Sequence, residues 1–175
     1  MDSEMRRFLS GKKSAASGGG SAERKLKPLW KCPKCGHKFV TRNIWHSCGR
    51  FKLSDHFKGK APAVRKAFDA FVELAKKNGP LTVYAQKTRI VIQGRVRFAG
   101  GVTRKNFLDA NLWLKRRAEH PRLIRVEDFG KIGCVHHFEL RSPNDLDGGL
   151  AELMAEAYRV GQQEHIYGSV GPAEA

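Results

Sequence analysis

From Ala61 onward the apolar positions follow a helical period and then a strand period. "APAVRKAFDAFVELAKKNG" sets Val64, Phe68, Phe71, Val72 and Leu74 on one face of an amphipathic helix. Pro62 suits its first turn, and Gly79 with Pro80 ends it. The period then falls to two. "LTVYAQ" and "RIVIQGRVRFAG" are β-branched and alternating, with Ile90, Ile92, Val96 and Phe98 apolar between Arg95 and Arg97. Gly94 interrupts that run and marks a bulge or a turn. Further strands are predicted through Asn111–Leu114 and in "LIRVEDFG" and "GCVHHFELR". "SPNDLDGGLAELMAEAYRVGQQEH" opens with Ser and Pro start signals and continues as a helix, with Leu150, Leu153, Met154, Ala157 and Tyr158 inward.

Helices at both ends of a run of strands predict an α+β fold, a two-layer sandwich with a mostly antiparallel sheet over residues 61–166. A domain of this size buries an independent core. Residues 1–27 have no apolar period and read as a disordered, basic Gly/Ser-rich arm. Residues 28–57 form a separate cysteine-rich module, and 167–175 a tail.

Charge changes the picture by its placement. The net charge is +16. Residues 1–60 hold 15 Lys/Arg against 4 Asp/Glu, and residues 61–175 hold 18 against 13. The front third is therefore the electrostatic face, and polyanions are the expected partners, nucleic acid first among them. The N-terminus has no continuous apolar core of the kind a secretory signal needs, and no apolar run approaches membrane-span length. The expected location is the cytoplasm, with no membrane partner.

Three of the four cysteines lie in "WKCPKCGHKFVTRNIWHSCGRFKLSDHF". In a cytosolic setting such clustering points to a metal rather than to disulfides. Cys32 and Cys35 supply the usual first thiolate pair of a zinc site, and Cys48 follows at the spacing of a third ligand. Phe39 and Trp45 are expected to form the small core of a zinc-finger-like module, with Thr41 capping a short helix over residues 42–47. The fourth ligand is open among three histidines. His56, at a second helix capped by Ser54, is preferred; His46 is the alternative, because two residues before Cys48 on a helix it points away; His37 is the weakest. Three or four protein ligands in so short a module describe a closed, structural zinc site.

The remaining residues suggest binding more than catalysis. Lys31, Lys34, Lys38, Arg42, Arg50 and Lys52 flank the metal and are the candidate phosphate contacts. Between Lys87 and Arg125 there are 11 Lys/Arg against 2 Asp/Glu, and Arg89, Arg95, Arg97, Lys115 and Arg117 at alternating positions predict a basic sheet face. Its bland alternative is a solvated surface. A small anionic ligand is the second expectation, with a pocket built from Gln86, Lys87, Arg89, His120 and His137. Cys134 and His136 share one strand face and His137 the other, and a second metal there needs His120 or Glu127. No paired-carboxylate, nucleotide-loop or serine-triad pattern is readable, so no catalytic residue is assigned and a hydrolytic enzyme ranks last.

The segments "WKCPKCGHKFVTRNIWHSCGRFKLSDHFKGKAPAVRKAFDAF", "VYAQKTRIVIQGRVRFAG", "EHPRLIRVEDFG" and "VHHFELRSPNDLD" resemble a bacterial family, domain of unknown function 5655. The resemblance spans residues 30 to 166 and implies a cysteine module joined to the following domain, with no established activity. Ala85 departs from a proline usual before the "QKTR" stretch. The second half is also similar, more distantly, to α/β domains of the YdhG type, which implies a compact sheet with a ligand-sized concavity. Taken together, the sequence predicts a zinc-binding, non-enzymatic protein that contacts nucleic acid, with a protein partner left open.

Overall fold

The computed structural model describes residues 26–168. The arm predicted for 1–27 and the tail predicted for 167–175 lie largely outside them. A two-stranded antiparallel hairpin, β1 (Trp30–Lys31) and β2 (Lys38–Phe39), comes first. A 3-10 helix over Leu53–Phe57 leads into helix α1 (Pro62–Lys76). Six strands follow: β3 (Thr82–Ala85), β4 (Ile90–Gln93), β5 (Arg97–Thr103), β6 (Leu108–Leu114), β7 (Leu123–Asp128) and β8 (Cys134–Leu140). Helices α2 (Gly148–Gly161) and α3 (Glu164–Tyr167) close the described chain.

The six strands form one antiparallel sheet in the order β3-β4-β5-β6-β8-β7. Chain order is broken once, where β7 takes the outer edge beside β8. The α+β sandwich expected from the sequence is the observed architecture. Gly94 sits in the β4–β5 turn, and the register also shifts between Ile92 and Gln93.

Burial follows the two periods. Val64, Phe68, Phe71 and Val72 of α1 and Leu150, Leu153, Met154, Ala157 and Tyr158 of α2 are buried. They join Ile90, Ile92, Leu108, Ala110, Leu112, Leu114, Phe138 and Leu140 in a single core. These strand residues share one sheet face, so both long helices cover that face. Removing a large member such as Phe71 costs roughly 3–5 kcal/mol. The start signals of the last helix divide: Ser142 and Pro143 open a 3-10 turn with a capping box, whereas Asp147 caps α2 by accepting from the Leu150 N–H at 2.9 Å.

The opposite face is shared. The cysteine module covers its β3–β4 end, where Tyr84, Val91 and Gln93 are buried. Gln93 Nε2 donates to the Lys38 carbonyl (2.7 Å), Ser47 Oγ to the Ala85 carbonyl (3.0 Å), and the His37 ring packs on Tyr84 at 4.9 Å. Burial holds the Tyr84 phenol above its ordinary range, against the pull of Arg97, whose Nε donates to its oxygen at 2.9 Å. At the β6–β8–β7 end of this face, Trp113 Nε1 donates to the Ile132 carbonyl of a 3-10 turn over Gly130–Ile132 at 3.4 Å.

Candidate metal centre

The β1–β2 hairpin brings Cys32 and Cys35 to one point. Gly36, at φ +74°, takes the left-handed turn that an L side chain resists. The turn is closed by Gly36 N–H donating to the Cys32 carbonyl and Cys32 N–H to the His37 carbonyl, both at 2.9 Å. Residues 44–47 then run back without helical structure, and a turn at Cys48 (φ +50°) and Gly49 (φ +75°) ends the loop.

The helix expected over residues 42–47 does not form, and this brings His46 rather than His56 to the cysteines. Outside a helix, side chains two apart are not forced to opposite sides. His46 and Cys48 converge. Cys32, Cys35, His46 and Cys48 place their ligand atoms within 4.8 Å of one another. Cys32 Sγ lies 3.9 Å from Cys48 Sγ, and Cys35 Sγ lies 3.2 Å from His46 Nε2. A tetrahedral zinc needs neighbouring ligand atoms about 3.5–3.8 Å apart. The set can close on such an ion with shifts of up to about 1 Å. His46 Nδ1 donates to the Ile44 carbonyl at 2.8 Å, which leaves the Nε2 lone pair facing the sulfurs.

His56, the preferred ligand, is corrected. Its Nε2 donates to the Gln86 carbonyl at 2.8 Å, and its own carbonyl accepts from Thr103 Oγ. It ties the 3-10 helix to the sheet instead. Lys52, not Ser54, takes that helix's N-cap position, and its side chain makes no capping bond. His37 is also turned away, against Tyr84 and Phe39, and burial with the nearby His46 lowers its proton affinity.

The thiols are poised unequally. Burial opposes the Cys32 thiolate, but backbone N–H groups of Cys35 and Lys34 and the neighbouring thiols bring it down to about 6. Burial and the hydrogen bonds it shares with Cys32 and Cys35 push Cys48 up to about 11. Such crowding favours a cation that takes all three thiolates at once.

Phe39, not Trp45, fills the module's core. Phe39 is buried against the rings of Trp30 (6.3 Å) and His46 (4.6 Å). Trp45 is 64% exposed, and Phe51 is exposed as well. The non-helical loop that turns His46 inward leaves Trp45 outward. Sequence reasoning missed this because it placed both on a helix.

Lys31, Lys34, Lys38, Arg42, Arg50 and Lys52 are all exposed on the module. Residues 26–60 hold 9 Lys/Arg against a single acid, Asp55. The predicted basic sheet face is not assembled. Arg95 lies in the β4–β5 turn, where its Nη2 donates to the Lys27 carbonyl at 2.5 Å, and Arg97 holds Tyr84. Arg89 precedes β4, and Lys115 and Arg117 follow β6.

Nor do the five candidate ligand-binding residues meet. Gln86, Lys87 and Arg89 form the β3–β4 connection at one sheet edge. His120 packs against Phe138 on the helix-covered side, with Nε2 2.9 Å from Asp147 Oδ1. His137 stands on the other face, three strands from β4, roughly 14 Å at ordinary strand spacing. Its partner there is Asp109, which the sequence reading did not single out; only the register of β6 on β8 brings them together. Cys134 is buried, and that burial, with Asp128 nearby, raises its thiol. His136 Nε2 accepts from the Ala118 N–H at 2.9 Å. The Cys32–Cys48 group is the one metal-capable cluster among the described residues.

The chain belongs to the family described as domain of unknown function DUF5655, which matches it over residues 53–161. The match covers the α/β domain and the 3-10 helix before it; the cysteine module lies outside. No curated protein and no solved structure matches the chain, so neither adds support to the likeness to YdhG-type domains. No helix among the described residues is long and apolar enough to cross a membrane.

Proposed function

We propose that this DUF5655 member is a nucleic-acid-binding protein whose zinc-stabilised module makes the contacts. The observation that carries the reading is Trp45, 64% exposed on a module with 9 basic residues and 1 acidic one. An indole held in water serves no packing role, whereas a base stacks on it irrespective of sequence. Phe51 offers a second ring, and Arg42, Arg50 and Lys52 follow in the same loops to meet phosphates. The zinc is structural: four protein ligands close it, and it fixes the loop that turns Trp45 outward.

The binding mode is single-stranded, because stacked rings need unpaired bases. The test is fluorescence anisotropy of the zinc-loaded full chain against single- and double-stranded DNA and RNA across salt. Six phosphate contacts give a log–log salt slope of about −4 on single strands. Affinity that is absent, or indifferent to salt, contradicts the reading.

A further inference from the structure

The end of the sheet that the module leaves uncovered carries a second constellation. On that face β6 presents Asp109 and Trp113, β8 presents His137, and β7 presents Arg125 and Glu127. His137 Nδ1 donates to Asp109 Oδ1 at 2.8 Å, which fixes the ring and directs Nε2 outward. Nε2 lies 3.4 Å from Glu127 Oε1. The Arg125 guanidinium lies alongside, with Nη2 3.1 Å from His137 Nδ1, and Arg104 Nη2 is 3.3 Å from Asp109 Oδ2. Asp109 and His137 are buried, while Glu127, Arg104 and Arg125 are 41–49% exposed in their side chains. The inner pair is thus held rigid, while the outer Arg125 and Glu127 stand in water paired with each other, Nε to Oε1 at 3.2 Å, a surface pair that an incoming phosphate can exchange. Trp113, stacked on Phe129 at 5.6 Å and 12°, lies along the same face.

We propose that this face is a second site, an acid–base centre that cleaves RNA by intramolecular transesterification. An imidazole and a carboxylate in mutual reach, with guanidinium groups beside them, match what that reaction requires: one proton acceptor, one proton donor and cationic cover for the phosphorane. The Glu127 carboxylate takes the proton of a ribose 2′-hydroxyl. The 2′-oxygen attacks the adjacent phosphorus, forming the O2′–P bond. The P–O5′ bond breaks, and the departing 5′-oxygen takes the proton from His137 Nε2. The products are a 2′,3′-cyclic phosphate and a free 5′-hydroxyl. Glu127 then returns its proton to His137 directly or through solvent. Asp109 is a positioning residue, stabilising the imidazolium. Arg125 and Arg104 neutralise charge on the phosphoryl oxygens. The choice of RNA rests on the nucleic-acid reading above; the proton-transfer geometry does not.

The test follows cleavage of a fluorogenic RNA oligonucleotide by the zinc-loaded full chain, with DNA of the same sequence as control. Glu127→Gln and His137→Asn are prepared identically, and their melting temperatures confirm folding. Glu127 lies at the surface, so its variant keeps the test valid if loss of His137 unfolds the domain. The expected result is RNA-specific cleavage to a cyclic phosphate, slowed about 10²–10⁴-fold by either change. Asp109→Asn lowers kcat with little change in KM, a split that loss of folded protein alone does not mimic in an active-site-titrated sample. A wild-type rate no faster than that of Glu127→Gln, or equal cleavage of DNA, overturns the proposal. RNA binding that Trp45→Ala weakens, with no cleavage, overturns it while leaving the module reading intact. Cleavage that needs Glu127 but not Trp45 at saturating RNA supports it whatever the module does.

Discussion

His46 Nδ1 donates to the carbonyl of Ile44, two residues earlier, and that 2.8 Å bond sets which nitrogen faces the cysteines. One local hydrogen bond thereby fixes the tautomer of the fourth member of the cluster. His46→Ala should weaken zinc by more than ~100-fold, beyond the 10–100-fold typical of losing an outer partner. His56→Ala should leave affinity near that of the wild type. Competition with a chromophoric chelator checks both; the reverse order would restore His56 as the ligand.

His56 has a different consequence. Its bond to the Gln86 carbonyl ties the 3-10 helix to the sheet at 2.8 Å. His56→Ala should cost about 1–2 kcal/mol in urea unfolding, with zinc content unchanged. A variant as stable as the wild type would mean that the contact contributes nothing.

The legible and illegible parts of the sequence divide along backbone period. Val64, Phe68 and Phe71, and Leu150, Leu153 and Met154, announce their helices because one face of each is apolar. Cys32, Cys35 and Cys48 announce a metal-capable cluster by spacing alone. His46 ranks behind His56 from the sequence because residues 42–47 have few apolar positions from which to read a period. The non-helical path there sets His46 inward and Trp45 outward. The ligand pocket failed for another reason. Parity correctly sets His136 and His137 on opposite faces, but strand order is not encoded in parity. With β7 outside β8, His137 meets Asp109 and Glu127 instead of the Gln86–Arg89 turn.

Trp45→Ala should weaken single-stranded binding by about 1–3 kcal/mol, the usual worth of one stacked base. The side chain is exposed, so the melting temperature should hardly move. Arg42→Ala and Arg50→Ala should each reduce the magnitude of the salt slope by about 0.7 on single strands. Equal affinity for Trp45→Ala and wild type would remove stacking from the account.

Asp109 gives a signed pH dependence. Burial alone raises a carboxyl, but the hydrogen bond from His137 and the charges of His137 and Arg125 prevail and hold Asp109 below its ordinary value of 3.8. A carboxyl depressed in the folded state stabilises the fold above its unfolded value, and that stability is lost as pH falls through the folded one. The stability gap between wild type and Asp109→Asn should therefore be constant near neutrality and shrink below about pH 4. Urea unfolding from pH 3 to 7 reads it. A gap that widens on acidification would contradict the ion-pair assignment.

The central claim is that nucleic acid lies on the zinc module. Ultraviolet crosslinking of the zinc-loaded full chain to a single-stranded oligonucleotide, mapped by mass spectrometry, tests it at the residue level. Crosslinks at Trp45 and Phe51 that vanish when zinc is chelated are the expected result. Saturable binding with crosslinks confined to residues beyond 60, or unchanged without zinc, would contradict it.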